Sequence, residues 1–365
     1  MRQSIHKAYQ KAMVPIVSAL LALALGIFII MLTGNDPLEA YQYMFGGMFG
    51  SFNNFSELLV SAIPFIFTGL AIAFAYKSGV YTIGVDGQLI MGAMAASLFA
   101  DTFSTLNGYV IMVGAIACGM AAGALWGAIA GALKAYRKVN EIVSTLIMNY
   151  IALFFAQYLY SGPLEAKSSR IPQTEKIIEK AHLPILFDGT RLHSGLFIAI
   201  LSVILVYYIL YHTSLGVKFR AVGINGVASQ YNGIGVKQYT TVAMAISGAI
   251  GGLAGTVELL GTQFKIMDGF CANFGFDGIA IALIGQLHPI GVAFAALFFA
   301  GLDVGSNSME LMTNVPSSIA DILQGIIIIF VVSGSVLVRE QNWKRLSKFR
   351  IKKMPGNLKG EKTGV

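Results

Sequence analysis

The sequence predicts an all-α polytopic membrane protein of about ten transmembrane helices, some broken or re-entrant. Three observations carry that prediction. Of 365 residues, 56% are hydrophobic and 12% charged, about half the charge of an ordinary soluble domain, and mean hydropathy is +0.70. Charge-free stretches, such as 12–35, 58–76, 102–133 and 142–163, reach the ~20 residues that a spanning helix needs. The Lys and Arg residues flank these stretches in short runs. Together these features exclude a disordered chain, a disulfide-rich secreted protein and a soluble two-domain enzyme. The ten-residue alternation of a membrane β-barrel is absent from the sequence.

Spans are expected at about 14–33, 57–76, 83–100, 108–133, 142–160, 194–211, 240–260, 276–287, 289–303 and 317–338. The first, with its core at Val14–Leu32, lacks a small-x-small cleavage site and reads as a retained anchor. The second ends at Lys77, and the third opens on the glycine-flanked Gly84-Val85-Asp86-Gly87-Gln88. The fourth runs up to Lys134, and the fifth is the continuous STLIMNYIALFFAQYLY. The seventh contains SGAIGGLAG (247–255), whose small-x-x-x-small spacing suits close helix packing. Gln286-Leu287-His288-Pro289 splits the next apolar stretch into a hairpin with two short arms, each able to stop near mid-membrane.

Charge placement supplies a topology, because loops on the cytoplasmic side collect Lys and Arg. Arg2, Lys7, Lys11, Lys77, Lys134, Arg137, Lys138, Lys218, Arg220, Lys237 and the tail after Val338 fall on one side. Lys167, Arg170, Lys176, Lys180, Arg191 and Lys265 fall on the other, with most loop acids. Both ends are therefore expected in the cytoplasm. The division is a transmembrane domain over 1–338 and a basic cytoplasmic tail over 339–365, with an external loop at about 162–193 and a cytoplasmic loop at about 214–239. Within the external loop, TEKIIEKA (174–181) suits a short amphipathic helix capped by Thr174. Within the cytoplasmic loop, Asn225–Tyr231 suits a short helix between glycine turns.

The net charge of +7 reads as an orientation signal rather than a nucleic-acid surface, since no aromatic-interleaved basic patch or zinc spacing accompanies it. No phosphate loop, His-Glu-x-x-His or Cys/His cluster occurs, so no catalytic residue, metal ligand or cofactor is expected. Cys118 reads as a packing residue and Cys271 as an unpaired thiol. What remains is polar groups inside apolar spans, which are costly there and mark function by default. Asp86 suits either a cap on its own helix, a partner for Lys77, or a solute contact; Gln88 lies beside it. Thr145 and Asn149 share a helix face, lining a pathway or bonding a neighbouring helix. Glu258, Asp303 and Asp321 read as residues at helix ends. Gln286, at the hairpin break, completes the pathway candidates.

Five ordered stretches, GVYTIGVDGQLIMGA (79–93), EIVSTLIMNYIA (141–152), SLGVKFRAVGINGVASQYNGIGV (214–236), FGFDGIAIALIGQLHPIGV (274–292) and ILQGIIIIF (322–330), resemble the permease subunits of bacterial ABC importers for simple sugars and nucleosides. GNDPLEAYQYMFGGMFGS (34–51) and the long external loop look more like the nucleoside branch. That branch works with a lipoprotein of the basic-membrane-protein type. Asp86 stands where members commonly carry Glu. The resemblance implies transport by alternating access with no ATP chemistry on this chain. It also implies a cytoplasmic ATPase, a second and related permease forming a heterodimer, an extracytoplasmic solute-binding lipoprotein, and a bacterial plasma-membrane location. It makes about 223–233 the coupling helix docked on the ATPase, with Arg220, Gly223, Asn225, Tyr231 and Gly233 as its residues. A ribose- or galactose-type sugar is the alternative cargo. An ion-driven secondary transporter is the alternative class, but inverted halves and paired mid-membrane carboxylates are missing.

Overall fold

The computed structural model describes residues 17–18, 20–32, 34–167, 169–271, 273–313, 315–331 and 333–334. The basic tail expected at 339–365, and Arg2, Lys7 and Lys11, lie outside them. Among the described residues the chain is almost wholly helical, with three isolated antiparallel bridges in its connections. It divides into two units, one of Ile30–Ala320 and one of Met1–Ile29 with Asp321–Val365. The second holds most of two apolar helices, α1 (Leu20–Leu32) and α13 (Ser318–Val331). Asp321 falls in the first turn of α13, as expected of a residue at a helix end.

In the larger unit the helices are α2 (Pro37–Phe49), α3 (Phe52–Lys77), α4 (Val85–Thr102), α5 (Gly108–Arg137), α6 (Glu141–Tyr160), α7 (Gly195–His212), α8 (Ser214–Ile224), α9 (Gly226–Tyr231), α10 (Val236–Glu258), α11 (Phe274–Ile284) and α12 (Pro289–Met312). Six of them, α3, α5, α6, α7, α10 with its following π-turn, and α12, are long and apolar enough to cross a membrane. Side-chain caps start several: Asp36 accepts from the Leu38 N–H, Ser51 from Asn54, Asn107 from Tyr109 and Asn140 from Ile142.

Burial sorts the spans. Of the most apolar window in each, 89% is buried in α3 and 78% in α10, against 28% in α5, 33% in α6 and 22% in α7. A helix apolar all round and buried all round is a core helix, whereas one with bare apolar faces meets lipid. Among these spans α3 and α10 form the core, and α5, α6 and α7 present an outward side. A glycine seam lets α10 pack this tightly. A Cβ at Gly123 would lie 2.2 Å from the Gly248 carbonyl oxygen, and one at Gly92 would lie 2.4 Å from the Gly252 Cα. The run SGAIGGLAG therefore works as expected, and its partner is the Gly119/Gly123/Gly127/Gly131 ladder of α5.

Three local expectations change, and one helix is added. Residues 34–51 hold a helix, α2, whose Asp36-Pro37 start is a legible cap-and-proline signal. α2 covers the polar stretch Asp303–Ser308, with Gly47 against Ser308 and Gly305 against Met44, so the second hairpin arm continues to Met312 and Asp303 sits inside α12 rather than at its end. Residues 174–181 do not form an amphipathic helix. Their backbone is spent instead on Phe264 and Ile266, and only Glu179–Ala181 turns, as 3₁₀. Residues 214–224, expected as loop, are the helix α8. Thr213 caps it, and Phe219 anchors it between Phe74 of α3 and Tyr239 of α10, at ring separations of 5.3 and 5.2 Å.

Candidate functional site

The α3–α4 connection climbs into the bundle, so α4 begins inside it: Val85, Asp86, Gly87 and Gln88 are all buried. A helix starting there has orphan amides that other elements must meet. The N-cap, Gly84, has no side chain to do this. Asn149 of α6 does it instead. Its Oδ1 accepts from Gly87 N–H at 2.9 Å, and its Nδ2 donates to the Ile83 carbonyl at 2.8 Å. One turn earlier, Thr145 Oγ1 accepts from Ile83 N–H at 3.2 Å. The Thr145/Asn149 face is therefore a clasp on the start of α4.

Asp86 does not cap its own helix. Its Oδ1 accepts from Gly275 N–H at 2.7 Å, which caps the start of α11 from across the bundle. Two helix N-termini thus converge on one carboxylate and one carboxamide, and their dipoles make this a place where electronegative groups are welcome.

Both residues line a cavity of about 340 Å³. Its first wall is one face of α6, from Leu146 through Asn149, Tyr150, Leu153 and Ala156 to Tyr160, a run of roughly 21 Å at 1.5 Å per residue. Its second is Asp86 and Ile90 of α4. Its third is the non-helical Ile266–Cys271 and Asn273, with Phe276 of α11. The lining is aromatic and aliphatic with a few acceptors and amides, the general make-up of a small-molecule site. A second cavity, about 320 Å³, lies among Ser97, Asp101, Glu165 and Thr174–Ile178, away from the helix breaks.

Of the other pathway candidates, Gln88 is 1% exposed and packs against Gly251 of α10, with its Oε1 lacking a hydrogen-bond partner. Gln286 sits with Leu287 in the α11–α12 turn, both at left-handed φ (53° and 55°). Neither lines the cavity. Glu258 is buried at the end of α10, where Gln263 Nε2 donates to it and to the Phe270 carbonyl.

The coupling candidates divide into anchors and surface. Arg220 lies over the Tyr211 ring at 5.1 Å. A Cβ on Gly223 would come within 2.2 Å of the Lys77 carbonyl oxygen, so α8 ends directly against the α3–α4 turn. Lys134 Nζ donates to the Gly79 carbonyl of that turn and pairs with Glu141. Asn225 caps α9 through Ala228 N–H, and Gly233 turns the chain at φ 77°. Tyr231 is 90% exposed, alongside Ile224 at 86% and Val227 at 68%. Val227 and Tyr231, four apart, share one face of α9, while Ile224 ends α8 just before the extended Asn225 that separates the two helices.

Comparison with known proteins identifies the architecture. Residues 54–332 match the family described as "Branched-chain amino acid transport system / permease component". The chain belongs to this family of ABC-transporter permeases. It is 38% identical to the guanosine ABC transporter permease protein NupP of Bacillus subtilis over 90% of this chain and 95% of that one. It is 32% identical to the nucleoside ABC transporter permease protein NupB of Lactococcus lactis subsp. cremoris over 88% and 91%. To the glucose ABC transporter permease protein TsgB13 of Haloferax volcanii it is 31% identical over 89% and 88%. No solved structure matches the chain. The permease is thus a multi-pass membrane component of a transporter, and the resemblance seen in its five motifs holds across the family match.

The sequence singles out Asp86 and Asn149 as candidates but not the groups they bond, Gly275, Gly87 and Ile83, nor the segment 264–271. That segment carries only Lys265, Asp268 and Cys271 as conspicuous residues, and no periodicity marks it.

Proposed function

We propose that this permease moves nucleosides into the bacterial cell, as one of two related permease subunits working with a cytoplasmic ATPase and an extracytoplasmic binding lipoprotein. It lies in the plasma membrane with both termini inside, which puts Lys77, Lys134 and α8–α9 at the cytoplasmic face and the 161–194 connection outside. The observation that carries the cargo is the groove wall. Tyr150, Tyr160, Phe270 and Phe276 offer rings for a base, while Asp86 and Asn149 offer acceptors and donors for hydroxyls or ring nitrogens. The nucleoside names of two relatives support the same choice.

In this reading the exposed side chains of Ile224, Val227 and Tyr231, at the end of α8 and on α9, meet the ATPase. Its movement passes through Gly223 to Lys77 and Gly79, and from there along 80–84 to the start of α4, where Asp86 and Asn149 sit. The elements are tightly packed, so they transmit displacement as a body. Driving the groove from 1:99 to 99:1 between orientations takes about 5.5 kcal/mol of differential ATPase binding. Gln88, whose buried Oε1 lacks a partner here, gains one if the other orientation brings it to the solute.

The test is uptake into vesicles carrying the co-expressed complex. ATP-dependent accumulation of labelled guanosine in excess of labelled glucose is expected. Accumulation of glucose alone overturns the cargo, and accumulation driven by a sodium or proton gradient without ATP overturns the transporter class.

A further inference from the structure

We infer that the segment Phe264–Cys271, together with Asn273, is the solute-contacting outer wall of the groove, and that Thr174 of the long connection sets its position. This rests on the groove being the solute path.

The segment is not helical, yet it runs from the π-turn Leu259–Gln263 to the start of α11, where Gly275 meets Asp86. Irregular backbone at membrane depth survives only where protein satisfies it or where it borders a water-filled cavity. This segment borders a cavity on one side and is satisfied by protein on the other. Toward the groove it supplies Met267, Asp268, Phe270, Cys271 and Asn273. Away from the groove its polar groups are tied. Ile266 O accepts from Thr174 N–H at 2.9 Å, Ile266 N–H donates to Thr174 Oγ1 at 2.9 Å, and Phe264 O accepts from Ile177 N–H at 2.9 Å. Lys265 Nζ donates to Gln173 Oε1 at 2.7 Å, and Gln263 holds the Phe270 carbonyl.

Its two ends are left-handed, Phe264 at φ 59° and Asn273 at φ 63°, with Gly269 at 79° between them. Non-glycine residues occupy that region only when their surroundings enforce it. The wall is therefore fixed at both ends and strung from a short antiparallel pairing with Gln173–Ile177. Thr174–Ile177 also border the second cavity. Asp268 and Phe270 become the residues that distinguish solutes, one by accepting hydroxyls and the other by stacking.

Cys271, a half-buried free thiol on the wall, is a built-in probe. In vesicles bearing the full complex with Cys118→Ala, a small methanethiosulfonate reagent is expected to label Cys271, and saturating guanosine is expected to slow that labelling severalfold. Protection by glucose but not guanosine leaves the wall standing and overturns the nucleoside reading. Protection by neither, or no labelling at all, overturns the wall. Thr174→Pro removes both the donor and the hydroxyl. It is expected to raise the guanosine-free labelling rate about tenfold, as the loss of two hydrogen bonds loosens a local opening. An unchanged rate in a complex that still assembles overturns the role of Thr174.

Discussion

Replacing Asn149 by Ala tests the clasp on α4 most directly. The side chain holds two backbone groups, the Gly87 N–H at 2.9 Å and the Ile83 carbonyl at 2.8 Å, both at the buried start of a helix whose own N-cap is a glycine. Truncation leaves one donor and one acceptor without partners. Each such group costs about 1–3 kcal/mol when buried, while hydrogen bonds between membrane helices average nearer 0.6 kcal/mol because the alternatives also find partners. The cavity beside Asn149 admits some water, so a total of about 2–3 kcal/mol is expected. At roughly 2 °C per kcal/mol for a body of this size, the melting midpoint in detergent falls by about 4–6 °C. The assay is thermal unfolding of the purified complex followed by tryptophan fluorescence, since Trp126 lies against Gly87. Asn149→Asp keeps an acceptor for Gly87 but sets a carboxylate oxygen against the Ile83 carbonyl and a second acid beside Asp86, so its midpoint falls at least as far as that of Ala. A midpoint within about 1 °C of wild type for Asn149→Ala refutes the clasp, because a buried unpaired amide cannot be that cheap.

Other outcomes follow from the same geometry. Gly123→Ala sets a methyl 2.2 Å from the Gly248 carbonyl oxygen, so α5 and α10 must separate; a loss of about 1–3 kcal/mol is expected, read as a lower melting midpoint. Gln88→Met deletes a buried oxygen that has no partner; the melting midpoint rises or holds, since removing an unsatisfied group is neutral to favourable, while guanosine uptake falls. Gly223→Val drives a side chain into the Lys77 carbonyl; ATP hydrolysis by the complex continues while uptake drops, and a parallel loss of both argues against transmission through this contact. His193, outside the spans, is 1% exposed, with its pKa pulled from 6.5 to about 4 by burial and then by Arg191. A histidine depressed in the folded state binds its proton first in the unfolded one. Stability is therefore full above pH ~6.5 and falls as pH drops toward ~4, by at most about 3 kcal/mol. His193→Asn keeps an acceptor for the Gly195 N–H and is expected to flatten that pH profile in thermal melts.

The sequence alone determined the all-α membrane class and where most apolar helices lie, and it singled out Asp86 as a candidate. Scarcity of charge is a local, additive property, and so are hydropathy windows and the glycines that bracket Asp86, which is why those readings carried over. A stripe such as Thr145/Asn149 was legible as a stripe because helical spacing is local too. What the sequence could not rank was the partner of each polar group. Asp86 reaches an amide 189 residues away, and Thr174 reaches Ile266 across 92. An acid two residues into a helix fits a self-cap, an ion pair and a remote cap equally well until packing brings one of them within 3 Å. The same holds for 174–181, where a helical pattern lost to an extended pairing because the neighbouring segment had backbone groups to satisfy in an apolar setting. Only the tertiary structure decided that 264–271, featureless by composition, stands opposite α6 and makes a cavity. A wall is defined by what faces it, and facing is a long-range property that no window along the chain contains.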